Sequence, residues 1–239
     1  MKKTLVLVHG HGVDARIWQR IVGHLPDYQV LTPDFSTATS YASIEEYADA
    51  LYQLLREAHV EQCAVVGHSM GGYIALAFAE KYPQMLTGLG LFHSTAYADD
   101  EPKRDQRQKA LAFMQAHGTD TFIAQTAPNM YAEKYAQRFP TVIKAHIETY
   151  KNLLSQAFIA GFKAIMHRPD RTHVLRQISV PVLFILGKED KLIAFDKTMT
   201  LTSLPQKSQV VVFEKVGHTG MIEAADESIE ALRQLMDSL

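Results

Sequence analysis

The residues best placed to do chemistry are Gly67-His68-Ser69-Met70-Gly71-Gly72. The apolar run Ala64–Val66 precedes them, and Ile74, Ala75, Ala77, Phe78 and Ala79 follow as a small-residue helical pattern. A Gly-x-Ser-x-Gly between a strand and a helix forces the serine into a sharp turn that projects its hydroxyl. Gly67 and Gly71 keep Cβ atoms out of the place where strand and helix almost collide. The helix that starts here also aims its free amides at the spot where negative charge would develop. Ser69 is therefore a candidate nucleophile. The bland alternative is a glycine-rich turn with an incidental serine, and the flanking elements argue against it.

A hydroxyl is a poor nucleophile near neutral pH and needs a base. Eleven histidines are present, and few fall at a strand end. His9 and His11 follow the first apolar run, His68 the third, and His93 ends the fourth. His218 lies in Val216-Gly217-His218-Thr219-Gly220, after the last run, Val210–Phe213, and is the candidate base. An orienting carboxylate should follow a strand and precede that histidine. Asp190 in Leu186-Gly187-Lys188-Glu189-Asp190 meets the requirement. Glu189 competes with it, Asp99 or Asp100 is a second alternative, and Asp190 could instead cap the following helix.

Negative charge on an attacked carbonyl needs two donors. His9-Gly10-His11-Gly12 directly follows the first strand, and the backbone N–H groups of His11 and Met70 are the expected pair. The His-x-His spacing alone lacks the further ligands of a metal site, so no metal and no cofactor are expected.

Six elements must position these groups. Leu5–Val8, Tyr28–Leu31, Ala64–Val66, Leu86–Phe92, Val182–Leu186 and Val210–Phe213 are short apolar runs without alternation. Such runs suit strands of a parallel sheet covered on both faces. Helical patterns lie between them. One opens with the capping box Ser43-Ile44-Glu45-Glu46, and another carries Ile229, Leu232, Leu235 and Met236. This β-α order predicts an α/β, doubly wound, mostly parallel sheet of about six strands.

The alternation breaks between about residues 98 and 177. Phe122–Thr126, Tyr131–Phe139, Val142–Leu154 and Phe158–Met166 read as helices there, which predicts a helical cap inserted after the fourth strand. The core is then 1–97 with 178–239, and the cap 98–177. The cap is rich in aromatics, most of them expected to pack and a minority to face a pocket.

The chain has 239 residues, 47% hydrophobic and 21% charged, with a formal net charge of −2. That composition is ordinary for a globular protein and carries no electrostatic footprint for nucleic acid or an anionic membrane. The densest charged stretch, Asp99 to Lys109, has mixed signs and reads as a solvated helix face. The single cysteine, Cys63, allows no internal disulfide and reads as a packed thiol. The first apolar run is too short for a signal segment, and no run is long enough to span a membrane. A cytoplasmic location is expected, with a small molecule as the binding partner, and a homodimer is compatible with the sequence.

Together these residues resemble the α/β-hydrolase superfamily, in its esterase-like branch with a helical cap. The matching parts are HGHG at 9–12, Trp18, Pro33-Asp34, GHSMGG at 67–72, GKED at 187–190 and GHTGM at 217–221, which span the chain. The order Ser, Asp, His is the order of that superfamily. The resemblance implies a serine hydrolase that cleaves a small to medium carboxylic ester, thioester or lactone through an acyl-enzyme. A carbon–carbon bond hydrolase or lyase with the same triad is an alternative, and so is a receptor-like protein with slow turnover. Two departures stand out. Phe35-Ser36-Thr37-Ala38-Thr39 replaces a glycine-rich segment, and the first strand is the one that usually follows an N-terminal hairpin. The cap shows no obvious anion clamp, which suggests an ester with an apolar part. His93, Ser94 and Trp18 are the expected pocket residues, with core packing the stronger reading for Trp18.

Overall fold

The computed structural model describes residues 2–239. Its strands are β1 (Thr4–Val8), β2 (Gln29–Leu31), β3 (Cys63–His68), β4 (Leu86–Phe92), β5 (Val182–Gly187) and β6 (Ser208–Phe213). They form one six-stranded sheet in the order β2-β1-β3-β4-β5-β6. Every pairing is parallel. Each apolar run read from the sequence is one of these strands.

Successive side chains on a strand face opposite ways, and both faces here are buried. Val6, Val8, Val65 and Phe184 face a layer containing α2 (Ile44–Glu57) and α3 (Met70–Lys81). Leu5, Leu7, Val66 and Ile185 face Trp18, Ile21, Leu232 and Leu235. Trp18 leads into the short α1 (Gln19–Val22), whereas the leucines belong to the C-terminal helix of residues 225–237. The sheet is thus wound with helices on both sides, the α/β-hydrolase fold. Ser43 caps α2 as the sequence predicts: its side chain accepts from the Glu46 amide, and the Glu46 carboxylate accepts from Ala42 N–H.

Between β4 and β5 lie six α-helices and no strand among the described residues: α4 (Glu101–His117), α5 (Thr119–Thr126), α6 (Glu133–Arg138), α7 (Pro140–Tyr150), α8 (Ser155–His167) and α9 (Thr172–Gln177). Leu111, Met114, Ile123, Phe158, Phe162 and Met166 give α4, α5 and α8 a small apolar core of their own. Ala164 and Ile165 of α8, and Val174 and Leu175 of α9, join the core of the sheet instead. The insertion is therefore welded to the sheet at its C-terminal end.

Two local readings change. The pattern over Val142–Leu154 is not one helix: α7 stops at Tyr150 and α8 starts at Ser155. Leu154, in the connecting turn, is 47% exposed, so apolar residues continue where the helix does not. The charged stretch does form a helix, α4, but Asp99 beside it is buried and paired with Arg107 and Arg168. After β5 come α10 (Phe195–Met199), α11 (Gly220–Glu223) and α12 (Ala225–Asp237). Among the described residues no helix is long and apolar enough to cross a membrane.

Candidate active site

The order in which strands are added to the sheet reverses between β1 and β3, and the connections after β1, β3, β5 and β6 gather at the carboxyl edge of the sheet. Parallel α/β folds place their sites at such an edge. Ser69 sits there between the last residue of β3 and the first of α3. Its φ is +52° and ψ −116°, a strained conformation for a residue with a Cβ. The neighbouring glycines make that turn feasible. A Cβ on Gly67 would lie 2.0 Å from the Gly71 carbonyl oxygen, and one on Gly71 2.3 Å from that of Val8. The Ser69 N–H donates to Phe92 O, and the Ser94 hydroxyl donates to Ser69 O. Both ends of the strained peptide are therefore tied to β4 and its following residue.

The His218 ring is 1% exposed, and its Nδ1 lies 2.8 Å from Asp190 Oδ2. With Nδ1 donating to that carboxylate, Nε2 is left as an acceptor. Ser69 and His218 line the same cavity, of about 300 Å³. Asp190 caps no helix, since the N-cap of the next one is Ala194 without a side-chain bond, and its two oxygens are divided between its own turn and His218. Oδ1 accepts from the Leu192 and Ile193 amides in its own turn, while Oδ2 takes the histidine. Burial pushes the Asp190 carboxyl up. The charge and hydrogen bond of His218, the nearby His93 and the Ile193 amide outweigh it and hold the group at about 2. Glu189 makes no side-chain hydrogen bond among the described residues. Asp99 pairs with arginines, and Asp100 caps α4.

The His11 N–H donates to no other group among the described residues, and the Met70 N–H is at the first position of α3, where no intrahelical acceptor exists. A Cβ on Gly10 would lie 3.2 Å from Ser69 Cβ, so the first-strand loop runs directly against the serine. Both histidine rings of that loop are already engaged. His9 Nδ1 donates to Gly10 O and its Nε2 accepts from Phe35 N–H, while His11 Nε2 bonds Phe158 O in α8. Burial lowers the His11 pKa to about 4 despite that bond. The replaced glycine-rich segment thus contributes its Phe35 amide to orient His9.

Two expected pocket residues, His93 and Ser94, belong elsewhere, and Trp18 follows its stronger reading. His93 is fully buried beneath the site, with φ +47°. Its Nε2 accepts from the Gly220 N–H, which puts its proton on Nδ1, 3.7 Å from Asp190 Oδ2. Burial lowers its pKa to about 3, so it is neutral. It backs the carboxylate and does not face the cavity. Ser94 is also fully buried, its hydroxyl spent on Ser69 O. Trp18 is core: it is fully buried, with its ring edge-on to Phe92 and His68.

Other residues do shape the site and went unread. His146 of α7 lines the cavity. Its Nδ1 lies 2.9 Å from the Tyr131 hydroxyl, and burial lowers its pKa to about 4, so the ring is neutral. Glu223 accepts from the amides of Gly217, Thr219 and Ala132, tying the His218 loop to the cap. The cap supplies a second tie, since the His218 N–H donates to Met130 O at 2.7 Å. No sequence signal marks these residues, because each acts through a contact remote in the chain. The cap is also less apolar at the cavity than its composition suggests: Lys103, Gln106 and Arg107 of α4 line it. Cys63 is buried in the sheet, its thiol pushed up to about 12 by burial.

Comparison with known proteins agrees with this architecture. The chain is 26% identical over 249 residues to lipase 1 of Psychrobacter immobilis, covering 99% of this chain and 78% of that protein. It is 27% identical over 248 residues to the karrikin insensitive 2 receptor IA of Petunia hybrida, covering 97% and 89%. A solved structure of a thermophilic esterase from Thermogutta terrifontis, malate bound, matches with a TM-score of 0.92 at 26% identity, covering 98% of this chain and 89% of that one. Residues 5–231 match the model of the Alpha/beta hydrolase family, and the chain belongs to that family.

Proposed function

We propose that the chain is a serine esterase acting on small to medium carboxylic esters, with Ser69 as nucleophile, His218 as base and Asp190 as its orienting acid. Its relatives support ester hydrolysis in general. The observation that carries the finer reading is the Asp190–His218 hydrogen bond beside a strained Ser69 on one cavity wall.

In this reading His218 Nε2 takes the Ser69 proton as Oγ attacks the carbonyl carbon. The His11 and Met70 amides hold the resulting oxyanion. When the C–O bond to the alcohol breaks, His218 returns the proton to the leaving oxygen. Water then repeats the sequence on the acyl-enzyme and releases the acid. Asp190 fixes the tautomer and stabilises the imidazolium without taking the proton. The likeness to a receptor favours a second reading, in which the same cavity holds a ligand with only slow turnover.

Fluorophosphonate labelling and p-nitrophenyl ester turnover distinguish the two. An esterase is labelled at Ser69 and releases p-nitrophenol steadily. A receptor gives a stoichiometric burst with no sustained release. Ser69→Ala should abolish labelling and lower kcat by about 10⁴-fold or more. Activity retained within tenfold would remove Ser69 from the role.

A further inference from the structure

A second cavity, of about 160 Å³, shares Tyr73, Lys103, Arg107, Leu192 and Ile193 with the catalytic one. Lys103 and Arg107 are four residues apart on α4 and so lie on one helix face. The charged groups around this second space are Lys103, Arg107, Arg168 and Lys197 against Asp99 and Asp100. Most are spoken for. Asp99, 4% exposed, gives one oxygen to Arg107 and the other to Arg168 Nη1 at 2.9 Å. Arg168 also lies over the Tyr73 ring, 4.0 Å from its centroid, and donates to Tyr97 O. Asp100 accepts the Lys103 N–H as the α4 cap and faces Lys197 Nζ at 3.6 Å.

The Lys103 ammonium is the exception. It is half-buried in the wall common to both cavities, with no hydrogen bond or ion pair among the described residues. Burial depresses its pKa, Arg107 and Arg168 add to that, and Asp99 and Asp100 oppose it. A half-desolvated cation without a partner is costly, and an anion reaching it from the catalytic cavity would offset that cost. A single carboxylate matches the one free cation. A doubly charged phosphate would meet the two neighbouring aspartates.

We propose that this second cavity is a carboxylate subsite, in which Lys103 pairs with an acid group carried by the ester substrate. This rests on the esterase reading and narrows it to esters that bear a free acid away from the scissile bond.

Two matched pairs of esters test it. One carries the acid on the acyl chain: p-nitrophenyl hydrogen adipate against its methyl ester. The other carries it on the alcohol: m-carboxyphenyl butyrate against m-(methoxycarbonyl)phenyl butyrate. The readout is the kcat/KM ratio within a pair, for the wild type, Lys103→Met and Lys103→Arg. The expected result is a preference for the acid of about tenfold or more in at least one pair, the scale of a charge-assisted hydrogen bond. Lys103→Met should erase it and Lys103→Arg should keep most of it. Neutral esters turned over with no preference for the acid in either pair would overturn the subsite alone. So would a preference that survives Lys103→Met. If no ester is turned over, the esterase reading falls and the subsite with it.

Discussion

Two adjacent carboxylates offered themselves to His218, and one bond length separates their consequences. Asp190 Oδ2 is 2.8 Å from the ring, so Asp190→Asn should place a donor against Nδ1, reverse the tautomer and cost about 10³–10⁴-fold in kcat. Glu189→Gln should cost less than about tenfold, a change within the range of an indirect effect. Steady-state kinetics of the two variants on one p-nitrophenyl ester decide it, and the reverse ranking would transfer the role to Glu189. The candidate grouping of Ser69, His218 and Asp190 was legible because local chemistry marks it: glycines for a strained turn, and strand ends for the partners. His93 and Ser94 were misplaced because a strand-end address does not say which way a side chain turns, whereas Trp18 packs in the core, as the stronger reading of it had it. His93 takes a positive φ and points down toward Asp190, and Ser94 is bent back onto Ser69 O. Lys103 and His146 were invisible for a related reason. An ordinary lysine in a mixed-charge run becomes distinctive only when the helix is docked.

At the scale of elements, the sheet was readable because burial on both faces writes continuous apolar runs. Helix ends in the cap were not, since Leu153 and Leu154 extend the apolar pattern through a turn. The helices α4, α5 and α8 wall the cavity with Ala110, Phe122, Phe158 and Phe162. An apolar wall of this kind rewards each methylene that fits by roughly 0.8 kcal/mol, or about three- to fourfold in kcat/KM. From acetate to octanoate, kcat/KM should climb by that factor per carbon and then fall where the cavity ends. Phe122→Ala should move the fall to a longer chain. Phe122 is the better choice of ring, because the Phe158 ring itself packs edge-on against His11, 4.1 Å between centroids. A flat profile in both proteins would deny α5 and α8 any part in selecting the acyl group.

Across the whole molecule, neutral buried histidines set a dependence on acid. His11 and His146 are lowered to about 4 and His93 to about 3, each chiefly by burial. Unfolded histidines titrate near ~6.5, so below that pH the unfolded chain binds protons that the folded one refuses. Stability should therefore be full above about pH 6.5 and decline as the pH falls toward 4, by up to about 1.4 kcal/mol per pH unit for each such group. Asp190 adds its own loss later, between about 4 and 2, as its lowered carboxyl is protonated. Urea unfolding at a series of pH values tests this. His146→Gln should flatten the slope between pH 6 and 4.5 by about one proton, and an unchanged slope would place that titration elsewhere. The ties between cap and sheet have one more consequence. Met130 O holds the His218 amide, Glu223 grips Ala132, and Phe158 O holds His11. A cap that swung away as a rigid door would take these anchors with it and leave base and oxyanion loop adrift. These ties oppose such an opening, so the expected route in and out is rotation of individual side chains at the cavity rim, with the proposed base and oxyanion loop kept in place.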